Sequence, residues 1–538
     1  MSMNSGKKAL IIFDKFCRVA VFLLFTVLMG LLCFFSFRWT LINYMEESRE
    51  YNDIFIPPLV DRMKANIGFC IVFVLCLTLL SYMVERLLKG KAFPLWLSIA
   101  FAAGISILCR ITDLQLMATG RADSEYIIVI ARQFLNGDHD AFIVRDSEHF
   151  NAYLANYPQQ TTLVWFYTIL ISLFKSANVE TVFHFVGGIC AGIFAFFGER
   201  TVNLLWKRAG VSLVFIILVY GCVPLYFYAG YGYGEIVSAG LAMPMLFLTI
   251  KSIKERKVTF LRCLIIFLTG SVSAGIRTNI SILFIALAIV VFVVSLMNLK
   301  TRKGLLILIP VILICCVFMN AFLRGVVYGK YPKGPVMPAI SWVNIGVHYG
   351  GGFGIGGYDG MIMTVYEDCD YDPVVFKKKC TEMVSDQIRL FLQDKEKGKA
   401  FFFEKYRWQW IDPTFQCFVH TENNPPGYPK GIVYEIKYGK YREIVFTFMD
   451  RYQSLIYLLA LIAMGGLIIK KPGFEEYVWP IFLIGGFLFS LLWEAKPRYC
   501  LQYFLYMLPF CAYGVWTVRE AVKFFCLKIK SFFMKRNA

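Results

Sequence analysis

The residues of this chain best suited to chemistry are carboxylates and cations set at the edges of long apolar runs. Asp123 heads Asp123-Ser-Glu125-Tyr126, a run that continues with Ile127, Ile130, Ala131, Phe134 and Leu135 at helical spacing and closes at Gly137. A carboxylate fixed there can take a proton from a hydroxyl attacking a lipid-linked electrophile, which is general-base chemistry. It can equally cap the helix by accepting backbone N–H bonds. Glu235 ends Pro224–Glu235, a segment rich in Tyr and Gly. Its aromatics fit an interfacial belt, but a carboxylate beside hydrocarbon is costly and commonly serves a site. Arg277 follows Gly270 and Gly275 at the next turn. Its planar fork suits phosphate oxygens, or it snorkels from a span end. Trp493-Glu494-Ala495-Lys496-Pro497-Arg498-Tyr499 packs one acid and two bases between two apolar runs. The plain alternative there is interfacial anchoring with a surface ion pair.

The elements that must position these residues are membrane spans. The 538 residues are 58% hydrophobic and 17% charged, against roughly 45–50% and 25% in a soluble chain, and the apolar residues come in blocks. Val19–Phe37 follows Lys7, Lys8, Lys15 and Arg18 and ends at Arg38 without a small-residue cleavage site, so it reads as an uncleaved first span. Further blocks are Ile67–Met83, Phe93–Cys109, Val182–Phe197, Ser212–Phe227, Ile236–Ile250, Leu261–Ala274, Ile280–Met297, Leu305–Phe322, Leu455–Ile469, Val478–Trp493 and Gln502–Trp516. Basic clusters at 86–91, 200–208, 251–257, 300–303 and 470–471 alternate with these blocks as the positive-inside rule requires, giving roughly twelve crossings. Thr161–Phe174 would invert every later cluster if it crossed. It is also short for a span, so it is expected not to cross.

Two long segments, Arg110–Gln160 and Arg324–Arg451, then face outward. The second is too long for a plain connection and should carry its own structure. It opens with Lys330 and Lys333, followed by Trp342 and a glycine-rich stretch to Gly357 and Asp359. The stretch is no P-loop, since it lacks Gly-Lys-Ser/Thr. Asp372-Pro373 predicts a helix start, with Phe376, Cys380, Met383 and Phe391 on one face. Lys405-Tyr-Arg-Trp408-Gln-Trp410-Ile-Asp412-Pro-Thr-Phe415 follows. From Arg519 onward basic residues alternate with Phe524, Phe525, Leu527 and Ile529, which reads as an interfacial helix on the inner leaflet.

These motifs, in this order, resemble the polyprenyl-phosphate-dependent glycosyltransferases of the GT-C superfamily, the group that includes protein mannosyltransferases. The matching features are Asp-x-x-Tyr-x-x-x-x-Ala at Asp123, Tyr157-Pro158 ahead of 161–174, and the acid at Glu235. The Gly-rich span with Arg277, the segment from Trp342 to Phe415, and Trp493-Glu494-Ala-x-x-Arg498-Tyr499 complete them. The last two resemble the Gram-positive bacterial type. Two positions depart: Ser341 stands where the group has His, and Pro413 where it has Gly. The matches are scattered between about Phe93 and Tyr499. The resemblance implies an all-α polytopic GT-C fold and an inverting enzyme of the cell membrane, in a Gram-positive bacterium, with its active site on the extracytoplasmic face. It implies Asp123 as base, with Glu125 and Glu235 next. Arg277, Lys330, Lys333, Glu494, Lys496, Arg498 and Tyr499 fall to the lipid phosphate or donor, and Trp342, Asp359, Trp410 and Asp412 to the acceptor or loops.

The expected organisation is a two-span addition (1–92), a transmembrane core (93–323) with a first outer loop (110–160), an extracytoplasmic segment (324–451), C-terminal spans (452–517) and a basic tail (518–538). The net charge of +18 lies mostly beside apolar blocks and serves topology; no nucleic-acid motif accompanies it. The 16 Cys include no CxxC, and whether Cys369 and Cys380 pair is open. Neither a metal cluster nor a cofactor motif is evident, so the substrate is expected to be a polyprenyl-phosphate sugar, with membrane lipids around it and a cell-envelope acceptor. Rival readings are a polymerase or ligase acting on polyprenyl-diphosphate glycans, and a lipid-glycan flippase. A flippase should carry charges mid-span, whereas here they lie at span ends.

Overall fold

A computed structural model of the chain describes residues 5–45, 51–56, 60–116, 123–143, 153–175, 178–297, 302–349, 355–421 and 431–536. Among these, nine helices are long and apolar enough to cross a membrane: Lys8–Arg38, Arg62–Leu87, Leu95–Leu116, Val179–Trp206, Glu235–Glu255, Thr278–Met297, Lys303–Val327, Arg442–Lys470 and Phe474–Leu492. A tenth is made if Ala209–Gly221 and Val223–Ala229, bent by 61°, form one span. The break falls at Cys222, and Pro224 lies in the first turn of the second helix, where its missing N–H is tolerated. The chain is a multi-pass membrane protein. The two remaining apolar blocks lie on Phe260–Ile276, a helix of 17 residues, and within Pro497–Arg536, a helix of 40 residues. Thr161–Leu173 is a helix of 13 residues, roughly 20 Å long and shorter than a hydrocarbon core.

Three features differ from the sequence reading. The described residues are not purely helical. Thr40–Met45 pairs antiparallel with Tyr51–Ile56, Thr40 opposite Ile56 and Met45 opposite Tyr51. The strands are short and sit between two strong span signals, so hydropathy passes over them. The tail is no separate interfacial helix but continues Pro497–Arg536, since no Gly or Pro after Gly514 interrupts it. The helix Arg442–Lys470 also starts well before the block at Leu455. Its early acid, Asp450, is buried against Arg62 of the second span, so a polar pair sits inside what hydropathy marks as the edge.

The first two spans are built into the bundle. Phe25 packs edge-on against Phe510 at 5.8 Å, Ser454 donates to the Ser36 carbonyl at 3.0 Å, and Arg18 donates to the Pro472 carbonyl at 2.8 Å. One end of the bundle is basic. Four helices stop there on Lys89, Lys207, Arg256 and Lys471, all left-handed, with φ between 45 and 52°. That backbone costs a non-glycine residue about 1–2 kcal/mol, and cations at a helix C-terminus offset part of it. Glu85–Arg519, Lys254–Glu475 (2.6 Å) and Trp206–Glu476 (2.7 Å) tie these ends together. Glu235 and Glu255 bound one 21-residue helix, so Glu235 lies roughly 30 Å from the basic end.

Candidate functional site

At the end opposite the basic termini, four elements deliver charged side chains to one place. Asp123 opens the helix Asp123–Leu135, whose Ile127, Ile130, Ala131 and Phe134 are buried as the spacing predicts. Gly137, at φ +85°, ends it. Glu235 opens the helix Glu235–Glu255 after Gly234. Gly234 is required there twice over: its φ is +89°, and a Cβ would strike Ile276 beside Arg277. Arg277 caps Phe260–Ile276. Arg498 sits in the first turn of the helix that Pro497 begins.

The two arginines share one carboxylate. Arg277 Nη2 lies 3.3 Å and Arg498 Nε 3.5 Å from Glu235 Oε1. Arg498 Nη2 is 4.0 Å from Asp123 Oδ2, and its Nη1 donates to Tyr231 Oη at 2.7 Å. Both guanidiniums lie over the Tyr233 ring, at 4.6 and 4.9 Å. Gln160 donates to Tyr233 Oη at 2.7 Å, and Tyr153 Oη is 3.4 Å from it. The side chains of Glu235 and Arg498 are each 2% exposed, while Asp123 is 37% exposed. Neither oxygen of Glu235 nor the Nε of Arg498 makes a well-formed hydrogen bond. A buried charge cluster with unused donors and acceptors is expensive. Beside it, Lys496 Nζ reaches Glu494 Oε1 at 3.0 Å, and Tyr499 donates to Glu494 Oε2 at 3.1 Å. Burial alone would push the Lys496 ammonium down; Glu494, Tyr499 and Asp123 together more than offset this, and Lys496 ends above the ordinary lysine range. Burial, helped by Tyr358 and Asp123, pushes the Tyr157 phenol well up, so it stays a neutral donor.

Glu125 is exposed on the other side of its helix. Lys330 is exposed over the Tyr331 ring, and Lys333 donates to the Tyr328 and Tyr331 carbonyls at 2.7 and 3.0 Å. Tyr328 packs on Phe134, near the far end of the Asp123 helix, roughly 16 Å from Asp123 along the axis. These two lysines are therefore not part of the cluster. Trp342 borders it, its ring 5.6 Å from that of Tyr157. Asp359 accepts from the Met361 amide at 3.1 Å and starts a helix, with His348 Nε2 at 3.9 Å. Trp410 is buried and stacks on Phe487 at 4.5 Å. Asp412 accepts from the Thr414 amide and hydroxyl and from the Gln416 amide, at 2.8, 2.6 and 2.9 Å, and so holds a turn in which Phe415 and Gln416 are left-handed. Trp410 and Asp412 are scaffold. Ser341 donates to the Pro338 carbonyl and is buried.

Lys405 explains how the segment 324–451 bears on the site. Its Nζ donates to the carbonyls of Gly346, Leu491 and Trp493, at 2.5, 3.2 and 2.9 Å. The Ala495 amide donates to the Gly356 carbonyl at 2.8 Å. Gly346 lies against Leu492 and Trp493 so closely that any Cβ would collide with their backbone. The glycines thus let two backbones meet, and the turn carrying Glu494, Lys496 and Arg498 is clamped. Residues 350–354 of the glycine-rich stretch lie outside the described residues. In the same segment Asp372 caps Pro373–Gln393 as predicted, accepting from Val374 and Val375 at 2.7 and 3.2 Å. Cys369 and Cys380 are free thiols in one small apolar core.

Sequence reasoning passed over Tyr153, Gln160, Tyr231, Tyr233 and Tyr358 as site residues, because tyrosines at a span end read as belt. It also missed Asp113, buried between Arg110 and His184 beside Gly230. The arrangement can abstract a proton at Asp123 and hold an anion at the arginines. Comparison with known protein families gives no match, and comparison with curated proteins gives none.

Proposed function

We propose that this chain is an inverting membrane glycosyltransferase of the GT-C type, using a polyprenyl-phosphate sugar and an acceptor hydroxyl outside the membrane. The supporting observation is the placing of one accessible carboxylate, Asp123, beside two buried guanidiniums, Arg277 and Arg498, that share a single buried counter-charge, Glu235. The acceptor oxygen attacks C1 of the sugar as Asp123 takes its proton. The C1–O bond to phosphate breaks, and polyprenyl phosphate leaves with its new charge facing the arginines and Lys496. Glu235 is too buried to meet an acceptor, so its role is to hold the two guanidiniums together. Glu494 orients Lys496 and Tyr499.

The test is purified protein incubated with labelled polyprenyl-phosphate sugars and envelope acceptors, scored for donor consumption and release of polyprenyl phosphate. The outer-face assignment has its own check. In a Cys-free background, Lys395→Cys should react with an impermeant thiol reagent in intact cells and Glu255→Cys should not. Labelling at 255 would place the cluster on the wrong side of the membrane.

A further inference from the structure

Next to the charge cluster lies a group of aromatic rings that neither proton transfer nor phosphate binding uses. Trp342 and Tyr157 stand 5.6 Å apart with planes inclined at 40°. Tyr358 stands beside Tyr157, and Lys496 Nζ lies 5.6 Å from the Tyr358 ring. All four residues are part-exposed. Three different stretches supply them: the loop before 161–174, the segment 324–451, and the 493–499 turn. The clamp through Gly346, Gly356 and Lys405 holds the last two together.

We propose that Trp342, Tyr157 and Tyr358 form a carbohydrate platform beside Asp123, on which the sugar of the lipid-linked donor lies with its C–H face on the rings and its hydroxyls toward Lys496 and Glu494. A pyranose has an apolar C–H face and a polar rim. Aromatic rings carry negative π faces that attract C–H groups, and here an ammonium and two carboxylates surround them. A lipid tail fits this place poorly, because it would strip water from the part-exposed Asp123 and Lys496 without offering hydrogen bonds.

This inference rests on the proposed function, and the test separates the two. Binding of polyprenyl phosphate and of polyprenyl-phosphate hexose is measured in detergent for wild type, Trp342→Ala and Tyr157→Phe. The wild type should bind the sugar-bearing lipid more tightly by about 3–10-fold per ring contributed. Trp342→Ala should lose one ring's share of that preference, about 3–10-fold, while binding the bare lipid as before. Tyr157→Phe keeps its ring and should keep most of the preference. Equal wild-type affinity for the two lipids would overturn the platform and leave the phosphate site standing. A full preference surviving in Trp342→Ala would also overturn it. No binding of either lipid would overturn both readings. The wild-type comparison needs no variant to fold.

Discussion

Two buried polar groupings at the same end of the molecule look alike in sequence and differ in how well they are satisfied. Around Lys405 and Asp412 the polar groups are well supplied with partners: the Lys405 nitrogen meets three carbonyls, and the carboxylate takes two amides and a hydroxyl. Around Glu235, Arg277 and Arg498 they are not. Both oxygens of Glu235 lack a well-formed hydrogen bond, and two cations lean on one acid. Each unmet buried group costs about 1–3 kcal/mol, so retaining several at one place is difficult to explain as folding alone. Uncharged groups such as Trp410 Nε1 also lack a partner, so the distinguishing feature here is the charge on Glu235 and Arg498, whose cost a charged ligand would repay.

The comparison breaks most sharply at Asp123. Asp123→Asn keeps shape and capping ability but cannot take a proton, so kcat should fall about 10²–10⁴-fold with the unfolding temperature unchanged. Retention of more than about half the wild-type kcat would remove Asp123 as base. Next come Arg277→Lys and Arg498→Lys, which keep the charge and lose the fork. Donor use, read as kcat/KM, should drop about 10–100-fold for each, the equivalent of one charge-assisted hydrogen bond. Unchanged kinetics in both would take the arginines out of the site. Lys405→Met is the counterpart on the well-supplied side. It leaves three buried carbonyls without their donor and should cost about 2–5 kcal/mol of stability. An unfolding midpoint equal to wild type would mean that Lys405 is no staple.

The smallest effect is a pH dependence. Burial pushes the Lys405 ammonium down to about 7, with Glu494 opposing. The unfolded chain keeps its proton up to the ordinary lysine range near about 10.4. Between these values the unfolded state binds more protons, so the contribution of Lys405 to stability rises with pH and is lost as pH falls through about 7. Thermal unfolding followed from about pH 6 to about pH 9 should show this rise in wild type and not in Lys405→Met. Parallel profiles would rule it out.

Much of this was legible in the sequence where the signal is local. Hydropathy found the helices, the 3.6-residue spacing found the Asp123 helix and its buried face, and Asp372-Pro373 found a cap. The acids and bases that meet at the site were recognisable by sitting at span ends. What sequence could not do was sort them by distance. Lys330 and Lys333 share a segment with Trp342, yet they lie at the far end of the Asp123 helix, occupied by carbonyls and rings. Asp412 and Asp123 look equally available as letters, but only the neighbours brought by folding tell a turn-holder from an accessible acid. The tyrosines at 231 and 233 were hidden for the opposite reason: an aromatic at a membrane edge has an ordinary explanation, and only their contact with two guanidiniums overrides it.

The most direct test of the account is one experiment on lipid-linked sugar consumption. Wild type and Asp123→Asn, purified side by side, are given a panel of labelled polyprenyl-phosphate sugars with a crude envelope extract as acceptor. The account predicts that wild type releases polyprenyl phosphate from at least one donor, moves its sugar to the acceptor with inversion at C1, and that Asp123→Asn loses this turnover while binding the donor. Absence of turnover by wild type across the panel, or equal turnover by the two proteins, would contradict it.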